Sequence, residues 1–376
     1  MAVEQLRRGV PGGIGAYARG LLSGLDQCAE EGEAVNVTLL ASRIPGREVA
    51  RMGPKEDPLE QFGRPIVLSR LPGPLLTRAW DHGLLGVPTG FDVVHSVSLA
   101  SPPARSDGKT RSVVTVHDVA WRRHPEATTN RGRKWHEAAL RRVRDSGAEL
   151  VVTSNFVAAD LMDDGVSSER ITIVRGGSDH LLPPDIVATD VLLERLGVRG
   201  SFLLTVSTLE PRKNVARLLM AYHQARATLP ERWPLVIVGP TGWGPALPSP
   251  EDQEGVVFTG AVSDAVLSGL YQKARAFAYV PLTEGYGLPP LEAMSVGTPS
   301  VVANEVPSVH DLGQPGPPPA TIVDPFDVQD IAAGLTAVLT DEAVRADLST
   351  RGEAYARART WRAVAHEHIR LWRSLA

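Results

Sequence analysis

Cysteine is almost absent from these 376 residues: Cys28 stands alone. One thiol closes no intrachain disulfide and builds no multi-cysteine zinc site. Positive charge is not in excess either, because 39 Lys and Arg face 43 Asp and Glu, for a formal net charge of −4. No global cationic field favours a nucleic-acid partner, and none is expected. Long apolar runs are missing: no stretch approaches the ~20 residues of a membrane span. The opening MAVEQLRRGVPGG has no apolar core of a signal peptide. The expected location is cytoplasmic, with peripheral contact at the inner face of the membrane left open. The chain also lacks internal repeats at solenoid period and long low-complexity tracts.

What is present is alternation. The length suits two domains of about 150–200 residues. Short β-branched runs at 37–40, 66–68, 93–95, 112–116, 151–153 and 171–174 read as buried strands, with amphipathic stretches between several of them. A second series follows at 202–206, 235–239, 256–259, 276–280, 300–303 and 321–323. Paired prolines in LLPPDIVAT, residues 181–189, break the pattern between the two series. The class is therefore α/β, with two doubly wound, Rossmann-like parallel-sheet domains facing across a cleft and ligands beyond the carboxyl ends of the strands. The domains are expected at residues 1–184 and 185–359, with residues 360–376 as a last helix whose apolar set is Trp361, Ile369, Trp372 and Leu375. Pro/Gly-rich tracts at 244–250 and 313–319 read as loops.

Three stretches carry chemistry. In TEGYGLPPLEAMSVGTP, Glu284 precedes a loop with Gly285 and Gly287, and Pro289 and Pro290 open a helix containing Glu292. Proline suits a first helical turn, glycine admits a ligand close to the backbone, and the free N–H groups attract an anion. Two carboxylates around such a loop can hold two hydroxyl-bearing groups; either alone could simply stabilise the helix dipole. In STLEPRKN, Arg212 and Lys213 sit on a loop entering a helix at 215–227, with Asn214 as its N-cap. Two cations at a helix N-terminus oppose its dipole, and a diphosphate would give them a reason to be there. In TVHDVAW, His117 and Asp118 close a strand; without further information such a histidine reads as structural. Asp118 could orient the imidazole or cap the next turn.

Weaker signals surround these. Gly13 and Gly15 in VPGGIG begin a G-x-G-x-x-A match, but the polar run upstream is not the apolar strand that a dinucleotide fingerprint needs. Only Ala2 and Val3 precede that run, so any edge strand there is very short. His95 reads as packed or loop-facing. Ser154 and Asn155 open a helix, where capping is the preferred role. Segment 131–144 sets Trp135, Ala139 and Val143 among six basic residues, which we read as a core helix with a solvated basic face, the alternative being a lipid-facing one.

EGYGLPPLEAM resembles the Glu-x7-Glu signature of glycosyltransferase family 4, and the Gly-rich loop, V-H-D and E-P-R-K-N segments match the same family over nearly the whole chain. The resemblance implies a GT-B fold whose last helix crosses back to the first domain. It implies catalytic or charge-stabilising roles for His117, Glu284, Lys213 and Arg212, with Glu284 on the donor-sugar hydroxyls and the two cations on the pyrophosphate. It implies donor binding by Gly13, Gly15, Gly239, Asp264, Gly285, Tyr286, Gly287, Leu288 and Glu292, the last on the ribose. Asp264 reads equally as a helix N-cap. Tyr286 stands where Phe is commoner, and Ser308 where relatives often have Glu. No Asp-x-Asp triplet occurs, so no metal and no cofactor are expected. The expected reaction is retaining transfer of a hexose from a nucleotide diphosphate sugar, with GDP-mannose the first-choice donor, to a glycan, lipid-linked or small-molecule acceptor. The rivals are a nucleotide-sugar epimerase on the same fold and an NAD-dependent dehydrogenase built on the glycine fingerprint.

Overall fold

The computed structural model describes residues 1–8, 12–44, 57–104, 109–242, 254–310 and 316–376. The tract at 244–250, residues 313–315 and the Val10–Pro11 start of the Gly-rich segment lie outside the described residues. Within the described residues the chain forms two compact units. The first comprises Met1–Val119, Asn130–Gly177 and Thr360–Ala376; the second comprises Ala120–Thr129 and Ser178–Arg359.

Along the chain the first unit contributes α1 (Gly12–Glu30), β1 (Leu39–Ala41), β2 (Ile66–Leu68), α2 (Gly73–Asp81), β3 (Val93–Ser96), β4 (Arg111–Val116), α3 (Asn130–Asp145), β5 (Glu149–Val152), α4 (Asn155–Asp163) and β6 (Ile171–Ile173). The second unit follows with α5 (Ile186–Arg195), β7 (Leu203–Val206), α6 (Val215–Arg226), β8 (Leu235–Val238), β9 (Val256–Gly260), α7 (Asp264–Lys273), β10 (Ala276–Tyr279), α8 (Leu288–Ser295), β11 (Ser300–Ala303), β12 (Thr321–Val323), α9 (Val328–Thr340) and α10 (Glu342–Arg357). Helix α11 (Trp361–Leu375) returns to the first unit. Each β-branched run seen in the sequence is a strand, within two residues at either end. None of the described helices is long and apolar enough to cross a membrane.

The boundary expected after residue 184 falls earlier, at Gly177. Ser178 Oγ donates to the Ala356 carbonyl at 2.6 Å, and the Ser178 N–H donates to the Arg359 carbonyl at 3.0 Å. These bonds tie the chain to the second unit before the prolines are reached. Residues Ala120–Thr129 also join the second unit, an excursion that periodicity could not reveal.

In the second unit six parallel strands run in the order β12-β11-β10-β7-β8-β9. Strands β8, β10 and β11 are buried at every position, as a parallel sheet covered on both faces requires. In the first unit β3-β4-β5-β6 and β1-β2 are parallel, and Ala2 bridges Leu40 on one side and Ser96 on the other. A single residue thus completes the sheet where the sequence offered only Ala2 and Val3. Both units therefore follow the doubly wound order, with the first and fourth strands adjacent.

Helices α1 and α11 pack closely because α1 presents glycine where α11 presents Trp361. A Cβ on Gly20 would lie 2.1 Å from Trp361 Cε2, and one on Gly24 would lie 2.1 Å from the Trp361 carbonyl oxygen. Trp361, Val364, Ala365, His368 and Ile369 form the buried stripe of α11, while Trp372 and Leu375 are only half-buried. Gly24→Val is expected to lower stability by about 2–3 kcal/mol, at the upper end of overpacking costs, since a backbone carbonyl cannot rotate away. Gly13→Ala, where an added Cβ meets nothing within 4 Å, is expected to leave the urea midpoint unchanged or slightly raised. Equal midpoints for the two variants would refute this account of the helix pair.

Candidate active site

The seam between β7 and β10 joins the first and fourth strands of the second unit. Connections diverge at such a seam and leave a crevice beyond the strand ends. The loop after β7 carries Glu210, Arg212 and Lys213, and the loop after β10 carries Thr283 and Glu284. The Leu282 N–H donates to the Arg212 carbonyl at 2.9 Å, so the two loops are stitched together by backbone.

Three donors converge on one carboxylate oxygen. Glu284 Oε1 accepts from Arg212 Nη1 at 2.8 Å, Lys213 Nζ at 2.5 Å and the Tyr279 hydroxyl at 2.9 Å. Lys213 Nζ also donates to the Tyr279 oxygen at 2.8 Å. Arg212 is held further by the Thr283 carbonyl at 3.1 Å and Glu210 Oε1 at 2.9 Å. Burial alone would push the Glu284 carboxyl up; Arg212 and Lys213, with the hydrogen bonds from Lys213 and Tyr279, outweigh it and lower the pKa to about 2. Burial holds Lys213 below the usual lysine value, with Glu284 opposing, and raises Tyr279 well above the usual tyrosine value.

Asn214 stands at the N-cap of α6, its carbonyl accepting the Leu218 N–H at 3.1 Å, but its side chain makes no capping bond. It adopts a left-handed conformation with φ of 58°, the single positive-φ non-glycine among the described residues. Its side-chain amide donates to the Val280 carbonyl at 2.9 Å and the Pro325 carbonyl at 2.8 Å, binding the β7, β10 and β12 loops. Asparagine is among the few residues that tolerate this backbone region.

Glu292 makes a second buried cluster. Its Oε1 lies 2.8 Å from His180 Nε2, and its Oε2 accepts from the Tyr271 hydroxyl at 2.8 Å. Tyr271, Phe277 and Tyr279 form an aromatic row, with centroids 5.5 and 6.1 Å apart, that leads from Glu292 to Glu284. Gly287 caps α8 with φ of 94°, and a Cβ there would come within 2.5 Å of Val306 Cγ1. Glycine is required at this turn by both conformation and space. Tyr286 is buried in the core, and its carbonyl accepts the Ser308 N–H at 2.8 Å. The two departures from the family pattern are thus neighbours, and the buried Ser308 hydroxyl finds no partner among the described residues.

Other expected site residues lie apart from these clusters or serve the backbone. Gly239 has φ of 145°, and a Cβ there would lie 2.0 Å from the Ser207 carbonyl oxygen; its N–H donates to the Gly260 carbonyl at 3.0 Å. Asp264 is the first residue of α7, whose cap is Ser263, accepting from the Val266 N–H at 3.3 Å. The capping role weighed for Asp264 therefore belongs to its neighbour. Ser154 does cap α4, accepting from the Val157 N–H at 3.2 Å. Gly13 and Gly15 belong to the first turn of α1 rather than to a loop before it. His117, in the first unit, follows β4; its Nε2 lies 2.9 Å from the Val97 carbonyl, and burial lowers its pKa. His95 is packed, as expected, with Nε2 at 2.8 Å from Thr115 Oγ1.

Comparison with known proteins decides what this arrangement belongs to. Residues 11–180 match the family model described as Glycosyltransferase Family 4, and residues 195–355 match Glycosyl transferases group 1. The chain is 30% identical over 273 residues to O-antigen chain mannosyltransferase B of Escherichia coli, covering 70% of this chain and 71% of that one. The chain belongs to glycosyltransferase family 4. It is also 32% identical over 237 residues to the serotype-specific mannosyltransferase WbdA of Escherichia coli, but spans only 28% of that protein's length. The HepE structure from Anabaena, in complex with UDP and glucose, has the same GT-B fold at 17% identity, with TM-score 0.67 over 98% of this chain and 97% of that one. The glycosyltransferase is therefore an enzyme that transfers a glycosyl group from a nucleotide sugar.

In this glycosyltransferase the geometry joins Arg212, Lys213 and Glu284, which the sequence suggested separately, and adds Tyr279 and Glu210. It sets Glu292 with His180 and Tyr271. Nothing in local sequence marks His180 or the tyrosines; they reach the carboxylates only through the sheet. Because Glu284 ionises more readily in the folded state, its contribution to stability is present above pH 4.5 and is lost as pH falls towards 2. The loss is about 3 kcal/mol when fully developed. Between pH 6 and pH 3 the urea midpoint of the wild type should fall more steeply than that of Glu284→Gln. Parallel pH profiles would show that this carboxylate is not held ionised.

Proposed function

We propose that the glycosyltransferase moves a mannosyl group from GDP-mannose to a glycan, lipid-linked or small-molecule acceptor, with retention at the anomeric carbon and without a metal ion. The observation that carries this reading is the Arg212–Lys213–Glu284 cluster at the β7/β10 seam. Two cations there can neutralise the nucleoside diphosphate as it leaves, each charged hydrogen bond contributing roughly 1.5–3 kcal/mol and more at a preorganised dry site. Glu284 Oε2 takes no hydrogen bond from a described residue and would accept from a donor-sugar hydroxyl. Glu292 would share its oxygens between His180, Tyr271 and the ribose. The amides at Gly285–Leu288 and the positive end of α8 would meet the phosphates, and Gly239, Asp264, Gly13 and Gly15 would lie about the donor. In the transfer, the bond from the anomeric carbon to the phosphate oxygen breaks and the electron pair leaves with the diphosphate. The acceptor oxygen bonds to the same face of that carbon, and its proton passes to a diphosphate oxygen. His117 would stand beside the sugar. The mannosyl choice is supported by the mannosyltransferases named above.

Lys213→Ala and Glu284→Ala are each expected to cut turnover by two orders of magnitude or more, with cooperative thermal unfolding retained. Near wild-type turnover in either would overturn the site. Thermal shifts with GDP, UDP, ADP, CDP, TDP and NAD in EDTA test the donor. GDP at 100-fold its Kd should add about 2.7 kcal/mol. A shift with UDP alone would replace the donor base, a shift with NAD alone would favour a dehydrogenase, and nucleotide-sugar conversion without an acceptor would favour an epimerase. The anomeric configuration of the product, read by NMR, tests retention.

Peripheral contact with an anionic membrane surface is a second reading, supported by exposed basic and apolar groups on two adjoining helical segments of the first unit. Arg131, Arg133, Lys134 and Arg141 of α3 are exposed. Leu75, Leu84 and Leu85 are exposed in and after α2, at 54%, 75% and 40%. Trp135 of α3 donates to Asp81 at the end of α2 at 2.9 Å, which ties the two helices together, and basic and apolar groups near one another suit an anionic lipid surface. Co-sedimentation with phosphatidylglycerol vesicles, weakened by salt and by Leu84→Ser with Leu85→Ser, is the expected result. Equal recovery with neutral vesicles would argue against it.

A further inference from the structure

Behind His117 the first unit buries a chain of polar aromatic groups that donor chemistry does not explain. The Tyr17 ring of α1 meets the His117 ring edge-on, with centroids 4.9 Å apart at 83°. The Tyr17 hydroxyl lies 3.0 Å from Nε2 of His368 on α11, 351 residues away in sequence. His368 Nδ1 lies 2.9 Å from the Val364 carbonyl, so that nitrogen carries the proton, and Nε2 accepts from Tyr17. The same logic at His117 puts the proton on Nε2, facing the Val97 carbonyl, and leaves Nδ1 as the nitrogen able to meet a substrate. Trp361 also packs on Tyr17 in a T-shaped contact at 5.4 Å and 82°, and His95 stacks on His368 at 5.3 Å and 19°.

Packing alone does not account for this choice of side chains. Tyr17 and His368 are 2% exposed or less, and apolar residues of similar volume would fill the space without burying polar atoms. What the polar pair adds is direction. The bond to His368 fixes the Tyr17 ring, the ring edge fixes the flank of His117, and the Val97 carbonyl fixes its other side.

We propose that Tyr17 and His368 are positioning residues for His117, so that the last helix of the chain holds the His117 ring with Nδ1 in its working direction. The proposal rests on the reading that His117 acts in the transfer. The test uses the full chain, with turnover read as nucleoside diphosphate release from the nucleotide sugar that the diphosphate screen selects. Tyr17→Phe, which keeps the ring and loses the hydroxyl, and His368→Leu are expected to lower kcat about 10-fold with donor KM within about twofold. His368→Gln retains an acceptor for the Tyr17 hydroxyl and should recover most of the loss. In a His117→Ala background the same substitutions should cost less than about twofold more. Imidazole NMR signals of His117 should move in Tyr17→Phe and His368→Leu and return in His368→Gln.

Losses that multiply in the His117→Ala background, or His117 signals unmoved by Tyr17→Phe, would overturn the proposal. If His117→Ala itself leaves kcat unchanged, the role given to His117 above fails, and the NMR signals still report whether the chain orients the ring. Should His368→Leu not fold, Tyr17→Phe decides alone, because its packing is unchanged.

Discussion

A carboxylate taken from water into a protein interior must find compensation on the spot. Glu284 finds it in Arg212, Lys213 and Tyr279, all on one oxygen. Much of the second unit's loop structure answers this requirement. The left-handed turn at Asn214 returns the chain into α6 directly after the two cations, and the Asn214 amide ties that turn to the loops after β10 and β12. Removing one member of such a buried cluster leaves the others charged and unpaired, which generally costs about 3–5 kcal/mol. The cluster is thus as much a structural knot as a chemical one. The cations that the helix dipole disfavours have a partner within the chain.

The same economy of close approach governs the first unit, where the constraint is steric. Gly20 and Gly24 let Trp361 rest on α1, and Gly177 admits the same residue from the strand side. That contact brings His368 under Tyr17 and thereby connects the end of the chain to the residue after β4. Glycine here provides absence of volume, whereas at Gly287 and Gly239 it also provides a backbone angle that other residues rarely adopt.

Much of this was legible beforehand, and for identifiable reasons. Parallel strands buried on both faces, such as β8, β10 and β11, leave continuous apolar runs that declare themselves; β2, read as buried from the same kind of run, is an edge strand with Val67 and Leu68 exposed. Glu284, Gly287 and Glu292 lie within nine residues of one another, so the string around α8 could be recognised without any structure. Asn214 holds the N-cap position that its residue type suggests but uses its side chain elsewhere, and the capping role open to Asp264 is taken by Ser263. In each case the rule for side-chain capping lost to a bond outside it: a pair of carbonyls for Asn214, and Ser263 for the start of α7. The boundary at Gly177 was misplaced because prolines mark a break in pattern, while hydrogen bonds from Ser178 decide which unit the chain has joined.

Residue order alone determined the fold class, the family, and the identity of the charged groups beyond β7 and β10. Those properties follow from hydrophobic period and from short contiguous motifs, which survive in one dimension. Only the tertiary structure decided that Arg212 and Lys213 share one oxygen of Glu284, that His180 and Tyr271 hold Glu292, and that His368 reaches Tyr17 across 351 residues. The physical reason is the same throughout. A parallel sheet places strands side by side in an order unrelated to their sequence, and hydrogen bonds depend on distance in space alone.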